Sequence, residues 1–387
     1  MRRIAPLILA VLMTATLATP ATADYVQADR LRVMTQNLYV GTDLFELLEP
    51  VTDCEPYDAA GVPCSLIVQG GKALDDVAAT DYPERAKKIA DLISWRRPDV
   101  IGLQEVSRIT VVPTDPTGNP VAPPEVTDYL DILLAELAAR GLDYQVAASV
   151  DNADIFPVPT GVFVPGLGPV VENLVGLLDR DVILARDGVT VHADTVDSAR
   201  YQTAQLSFPL GGDEVEFTRS YVKVDLTVRG RRYAAVNTHL EVEFESGSPL
   251  YPVANQIQAA QAGELVGALA AEDDPVVLLG DFNSAPDSDN GLPLPTPYQI
   301  LAGNGFTDVW NVRTFGSGPG FTCCQAELLD NPVSQLDQRI DQIWLGLGID
   351  VRWAFANTVG DRYWQKTPAG LWPSDHAGVM AYLGLEP

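Results

Sequence analysis

Apolar residues along this chain follow two rhythms. Aliphatic runs bounded by Gly, Pro, Asn and Asp predict strands over 31–37, 100–105, 144–149, 181–185, 221–228, 233–239, 276–281, 340–345 and 377–382. Some, such as Val276-Val277-Leu278-Leu279, have no polar face. Such a strand is buried on both sides, so its sheet needs cover on each face. The helical rhythm marks three segments. Residues 82–96 place Ile89, Leu92 and Ile93 on one side, with Asp81 as N-cap and Pro83 in the first turn. Residues 128–140 carry Leu130, Leu133, Leu134 and Leu137 at i, i+3, i+4 and i+7, opened by Thr127 and closed by Gly141. Residues 254–270 are rich in Ala and Gln around Ile257, Leu265 and Leu269. Stretches at 46–80, 111–126, 152–178, 241–253, 284–298 and 356–373 are rich in Pro, Gly and Asp and read as inserted loops. Long loops on a compact domain form functional rims.

The first 23 residues stand apart. Arg2 and Arg3 precede a short apolar run, and Ala21-Thr22-Ala23 closes it. That is the layout of a secretory signal peptide, and the run is short of the ~20 residues a spanning helix needs. A secreted, extracellular protein is therefore expected, with residues 24–387 as its mature part. Strand–helix alternation runs through that part without a linker, which predicts one α/β domain. A hydrophobic content of 47% excludes disorder. The net charge of −27 disfavours a general nucleic-acid binder, because neutralising phosphates takes Lys and Arg. Its plain meaning is solubility. The four cysteines, Cys54, Cys64, Cys323 and Cys324, suit disulfides in an exported chain. Cys54–Cys64 is the first choice. Cys323 and Cys324 are either a vicinal bridge or buried thiols.

The chemistry sits where strands stop. The strand ends read Gln36-Asn37, Gln104-Glu105, Asn237-Thr238-His239 and Gly280-Asp281-Phe282-Asn283; later strands are entered through Arg339-Ile340-Asp341 and Ser374-Asp375-His376. One Asn or Asp after a strand is an ordinary turn residue. Six ends bearing carboxylate, amide or imidazole form a set. Carboxylate and amide oxygens suit a hard divalent cation, and donors suit the charge that develops on a phosphate under attack.

The segments TQNLY (35–39), LQEV (103–106), NTHL (237–240), GDFNS (280–284), RIDQIW (339–344) and PSDH (373–376) resemble, in order, those of the endonuclease/exonuclease/phosphatase superfamily. That superfamily includes pancreatic-type deoxyribonucleases, abasic-site endonucleases, neutral sphingomyelinases and inositol-phosphate phosphatases. The resemblance implies a four-layer α/β sandwich, in which two packed mixed β-sheets are flanked by helices. It also implies a metal-dependent phosphoric ester hydrolase. By resemblance, Glu105 is the main metal ligand, assisted by Asn37, with Asp375 as a second ligand or support. Mg²⁺ is the expected ion, with Mn²⁺ and Ca²⁺ as alternatives. Asp281 would orient and deprotonate the attacking water, and Asn283 would hold that water or the phosphate. His376, charged and oriented by Asp341, would donate to the phosphoryl oxygens. His239 would contact the phosphate or protonate the leaving group. Asp179 and Arg219 fall where some members pair an acid with the first histidine and place a phosphate-contacting arginine. Asp43 reads as a loop acid, and His192 as structural or exposed.

The leaving group is not written in these residues. Two insertions near the expected site are apolar: 155–178, and 361–373 with Tyr363, Trp364, Leu371 and Trp372. Apolar loops beside a polar site suit a lipid or a membrane surface, with Trp372 a candidate substrate contact. The basic clusters Arg85-Lys87-Lys88 and Arg96-Arg97 lie on one helix, distant in pattern from the strand-end loops. The leading expectation is a sphingomyelinase- or phospholipase C-like phosphodiesterase without an obligate protein partner. A secreted deoxyribonuclease-like nuclease ranks next, then an inactive binding protein on the same fold.

Overall fold

The computed structural model describes residues 30–51, 54, 58–59, 62–203, 205–210, 213–316, 318–346 and 348–386. The expected leader at 1–23 lies outside them. In chain order, β1 (Arg30–Asn37) leads through a 3-10 turn (Leu44–Leu48) and a small hairpin, β2 (Asp58–Ala59) and β3 (Val62–Pro63). Helices α1 (Cys64–Ala79) and α2 (Tyr82–Arg96) follow, then β4 (Val100–Gln104), β5 (Arg108–Pro113), β6 (Glu125–Asp128) and α3 (Tyr129–Ala139). Next come β7 (Tyr144–Val164), β8 (Gly168–Arg186), β9 (Thr190–Arg200), the hairpin β10 (Leu206–Leu210) and β11 (Asp213–Phe217), β12 (Ser220–Val228) and β13 (Arg231–His239). The chain continues through α4 (Val253–Leu269), β14 (Val276–Asp281), α5 (Pro297–Gly303), β15 (Thr307–Asp308), the single turn α6 (Val309–Val312), β16 (Asp341–Leu345), β17 (Val351–Val359) and β18 (Gly378–Leu385).

Two mixed sheets form the centre. The eight-stranded sheet runs β17-β18-β1-β4-β8-β5-β6, with β7 also paired to β8; the six-stranded sheet runs β15-β16-β14-β13-β12-β9. Strand alternation builds the layers. Val33, Ile183, Val277 and Leu279 point into a core shared by both sheets. Their neighbours Met34, Val182 and Leu278 point outward: Met34 and Val182 meet Ile89 and Ile93 of α2 and Leu133 of α3, while Leu278 meets Leu265 of α4 and Leu301 of α5. The arrangement is the expected four-layer α/β sandwich, with continuous apolar strands covered on both faces.

The helices over 82–96, 128–140 and 254–270 appear within a residue of their expected bounds. Asp81 caps α2 through Glu84 N. α3 is capped by Asp128, which accepts from Leu130 N and Asp131 N, and not by Thr127. Two expected loops are structured. Residues 64–79 form α1, whose start has no side-chain cap and whose interior holds Gly70-Gly71, so the usual helix signals are missing. Residues 152–178 belong to the long β7–β8 ribbon. Its prolines read as breakers, but the ribbon accommodates them with register shifts between Ile155 and Val158 and between Thr160 and Gly161. The stretch 356–373 likewise contains the end of β17.

Candidate active site

Parallel pairing delivers the first groups. In the eight-stranded sheet, β1 lies parallel to β4 with Asn37 beside Gln104, which places Glu105 at the same edge. In the six-stranded sheet, β13 lies parallel to β14 with His239 beside Asp281, and β16 sets Asp341 opposite Asp281. Asp375 and His376 arrive just before β18, the other neighbour of β1. The chain turns sharply on leaving these strands. Tyr39, Glu105 and Asn283 adopt φ of +60°, +53° and +48°, a region that side chains other than Gly rarely occupy. Specific bonds hold the turns. Asn37 Oδ1 accepts from Tyr39 N (2.9 Å), Glu105 Oε2 from Val40 N (2.9 Å), and Asp281 Oδ1 from Asn283 N (2.9 Å).

The groups meet across the seam between the sheets. Asn37 Nδ2 donates to Glu105 Oε1 at 2.9 Å and to Asp281 Oδ2 at 3.1 Å. Asp281 Oδ2 also lies 3.6 Å from His239 Nε2 and 3.6 Å from His376 Nδ1. His376 Nδ1 is 2.7 Å from Asp341 Oδ2, and its Nε2 is 3.9 Å from Asp375 Oδ2. Asn283 Nδ2 donates to Leu240 O (2.9 Å) and sits 3.1 Å from His239 Nε2. Arg219 Nη1 donates to His239 Nδ1 at 3.0 Å.

Burial makes these contacts electrostatically strong. Against the opposing effect of burial, Asp341, Asp375 and Asp281 raise His376 well above the usual imidazole range, so it is the charged member. His239 goes the other way: burial and Arg219 hold it down to about 3, so it is neutral. Asp281 is lowered, because charged His376, with hydrogen bonds from Asn283 N and Asn37, outweighs its burial. Burial raises Asp341 to about 6 and Asp375 to about 7, in the latter case helped by Glu105.

A cavity of about 580 Å³ opens onto this cluster. Glu105, His239, Asp281, Asn283, Asp375 and His376 are on its wall; Asn37 and Asp341 stand one bond behind, on Glu105 and on His376. Asp179 and Arg219 also face it. Asp179 accepts from Asn152 Nδ2 (3.2 Å), and Arg219 pairs with buried Glu241 at 3.6 Å. Trp372 does not contact the cavity. Its ring is 1% exposed, packs behind Tyr39 and donates to Asn331 O at 2.9 Å. It buttresses a wall residue and has no face left for a substrate. Tyr363 and Trp364 are 74% and 77% exposed and lie off the wall. Asp43 caps the 3-10 turn, and His192 bonds Thr227 Oγ1 from β9. Cys54 is bonded to Cys64, and Cys323 to Cys324.

The largest miss concerns Arg85. The sequence grouped it with a remote basic cluster, yet it is fully buried beneath the site. It donates to Leu38 O, Tyr39 O, Thr80 O and Pro373 O, tying the loop after β1 to the loop before His376. Only its place on the buried face of α2 hinted at this. Gln104 and Asn237 were likewise quoted without a role. Gln104 Nε2 donates to Asn237 Oδ1 (2.6 Å), and Asn237 Nδ2 to Leu103 O (2.8 Å), stitching the sheets below the site. Thr322 was not singled out; its hydroxyl accepts from Ile340 N and Asp341 N.

The donor set fits a hard divalent cation. Glu105 and Asp375 present oxygens to one cavity beside the Asn37 amide. Soft ligands are confined to Cys323 and Cys324, which are already bonded to each other.

The model of the Endonuclease/Exonuclease/phosphatase family matches residues 68–376. Among solved structures, the chain is similar to an endonuclease/exonuclease/phosphatase from Beutenbergia cavernae, with 21% identity over 92% of this chain and 72% of that one and a TM-score of 0.50. It is similar to TDP2 from Caenorhabditis elegans, with 16% identity over 94% and 76% and a TM-score of 0.49. It is also similar to a mannosyl-6-phosphatase from Bacteroides thetaiotaomicron, with 15% identity over 91% and 99% and a TM-score of 0.47. No curated protein matches it.

Proposed function

Because the chain belongs to the Endonuclease/Exonuclease/phosphatase family, we propose that it is a divalent-metal-dependent phosphodiester hydrolase acting outside the cell on a phospholipid. The convergence of Glu105, Asp281, His239 and His376 on one cavity carries the reading. Water would add to phosphorus, the P–O bond to the alcohol would break, the expelled alkoxide would take a proton from solvent, and the products are a phosphomonoester and the alcohol. Asp281, kept ionised by charged His376 and by hydrogen bonds from Asn283 N and Asn37 Nδ2, accepts the water's proton, while Asn37 Nδ2 fixes its orientation. His376, held charged by Asp341, donates to the phosphoryl oxygens as charge builds there. His239 is neutral, so it contacts the phosphate and is not the proton source. Glu105, Asn37 and Asp375 would hold Mg²⁺, which when bound polarises the phosphoryl group and neutralises the leaving oxygen.

The lipid assignment is supported by the aliphatic part of the cavity and by the charge of −27. Three basic residues are engaged elsewhere: Arg85 beneath the site, Arg229 with Asp99, and Arg232 with Asp225 and Asp274. The extracellular assignment is supported by the leader-like residues 1–23 and by the Cys54–Cys64 bond. A panel of sphingomyelin, phosphatidylcholine, phosphatidylinositol, double-stranded DNA, RNA and a simple monoester, assayed with and without Mg²⁺, tests it. Lipid hydrolysis abolished by chelation and restored by Mg²⁺ is expected. Efficient DNA cleavage with no action on lipid would overturn the substrate assignment in favour of a nuclease.

A further inference from the structure

We propose that the aliphatic end of the cavity binds a single alkyl chain of the substrate, carried on the alcohol that leaves beside Glu105. The inference rests on the phosphodiesterase reading and adds where the apolar part of the substrate goes. The acidic groups and histidines named above meet in side-chain contact on one part of the cavity wall. On another part, Leu66, Leu74 and Val77 of α1 face Ile155, Val158 and Val175 of the β7–β8 ribbon. The change from polar to aliphatic is abrupt and lies on the acidic side. Leu177 is two residues before Asp179, on the same face of β8, and pairs in register with both Ile155 and Ile109. The aliphatic wall is therefore continuous with Glu105 and Asp179 and begins away from His376. A total of about 580 Å³ suits one small ligand with both a polar and an apolar part.

The pocket also has a floor. Gly70 and Gly71 of α1 lie directly on the ribbon. A Cβ on Gly70 would stand 2.7 Å from Thr160 Cγ2, and one on Gly71 would strike Gly161 O. Helix and strand backbones thus close together at this end. An entering chain meets a stop, so the site should measure chain length. The exposed Tyr363 and Trp364 lie outside this pocket and are available to a surface, which is a separate contact.

The test uses a series of alkyl methyl phosphodiesters with chains of increasing length, kept below micelle-forming concentrations, with released alkanol as the readout. Each methylene that leaves water for the pocket should raise kcat/KM about fourfold, until the pocket is full and the curve levels. Ala73→Phe and Val175→Phe fill the pocket from opposite walls. Each should flatten the rise while hydrolysis of the shortest ester stays within about twofold of wild type. Two independent variants keep the test valid if one fails to fold by circular dichroism. A wild-type rate that is indifferent to chain length, with hydrolysis intact, overturns the chain pocket and leaves the phosphodiesterase reading standing. Failure to cleave even the activated methyl 4-nitrophenyl phosphate sinks both.

Discussion

At the scale of single residues, the site works by pushing two histidines apart. Both are buried beside Asp281, yet burial with Arg219 makes one neutral and Asp341 makes the other charged. Asp341→Asn should therefore lower kcat by roughly 10²–10³-fold with little change in KM, as expected for weakening a donor to the charge that develops on the phosphoryl oxygens. Near-normal turnover in a folded variant would contradict the role given to His376. Asp181 offers a test of stability. It is fully buried next to Asp179, and burial, then Asp179, holds its carboxyl well above 3.8. The folded state thus retains a proton that the unfolded chain releases. Stability from this group is full below pH 3.8 and is lost as the pH climbs toward the folded value. Asp181→Asn should stabilise by about 1–3 kcal/mol near neutral pH, and the gain should vanish near pH 4, as read by thermal unfolding across that range. The residues that gather at the cavity were legible because their types and short contexts are unusual together. Arg85 was not, since a buried arginine that serves only backbone carbonyls looks in sequence like any helix-surface charge.

At the scale of elements, the strands were legible wherever the apolar run was continuous, as in β14, whose bounds match the expectation. α1 and the β7–β8 ribbon were missed for one shared reason. Each is stabilised by packing on the other, and their own sequences carry Gly and Pro where local rules demand breaks. Because α1 has no N-cap side chain, the Cys54–Cys64 bond at its first residue takes on that anchoring task. Removing it by Cys54→Ser with Cys64→Ser should cost about 2–3 kcal/mol for a short closed loop, measured by denaturant unfolding. An unchanged midpoint would show that helix packing alone fixes the segment.

At the scale of the whole molecule, charge and connectivity matter most. The four-layer class followed from two-sided strands and from the order of six short motifs. The pairing of two separate sheet edges could not be read from spacing, because the contacts that join them span most of the chain. The net charge of −27 makes a salt prediction with a sign. Raising NaCl from about 20 to about 200 mM shortens the screening length about threefold, so hydrolysis of anionic phosphatidylinositol should speed up while that of zwitterionic phosphatidylcholine stays level. A protein that grips nucleic acid through Lys and Arg shows the opposite slope, and a steep fall with salt would count against the lipid assignment.

Asn37, Glu105 and His376 ride on one sheet, and His239, Asp281 and Asp341 on the other. The reaction centre is therefore a vernier: neither scale carries a reading until the two are aligned. A slip of about 1 Å between them is enough to cost on the order of 10²-fold in rate, far less than it takes to melt either scale. Turnover should consequently fade on warming before ellipticity does, and the gap between the two curves would report how firmly the halves are clamped.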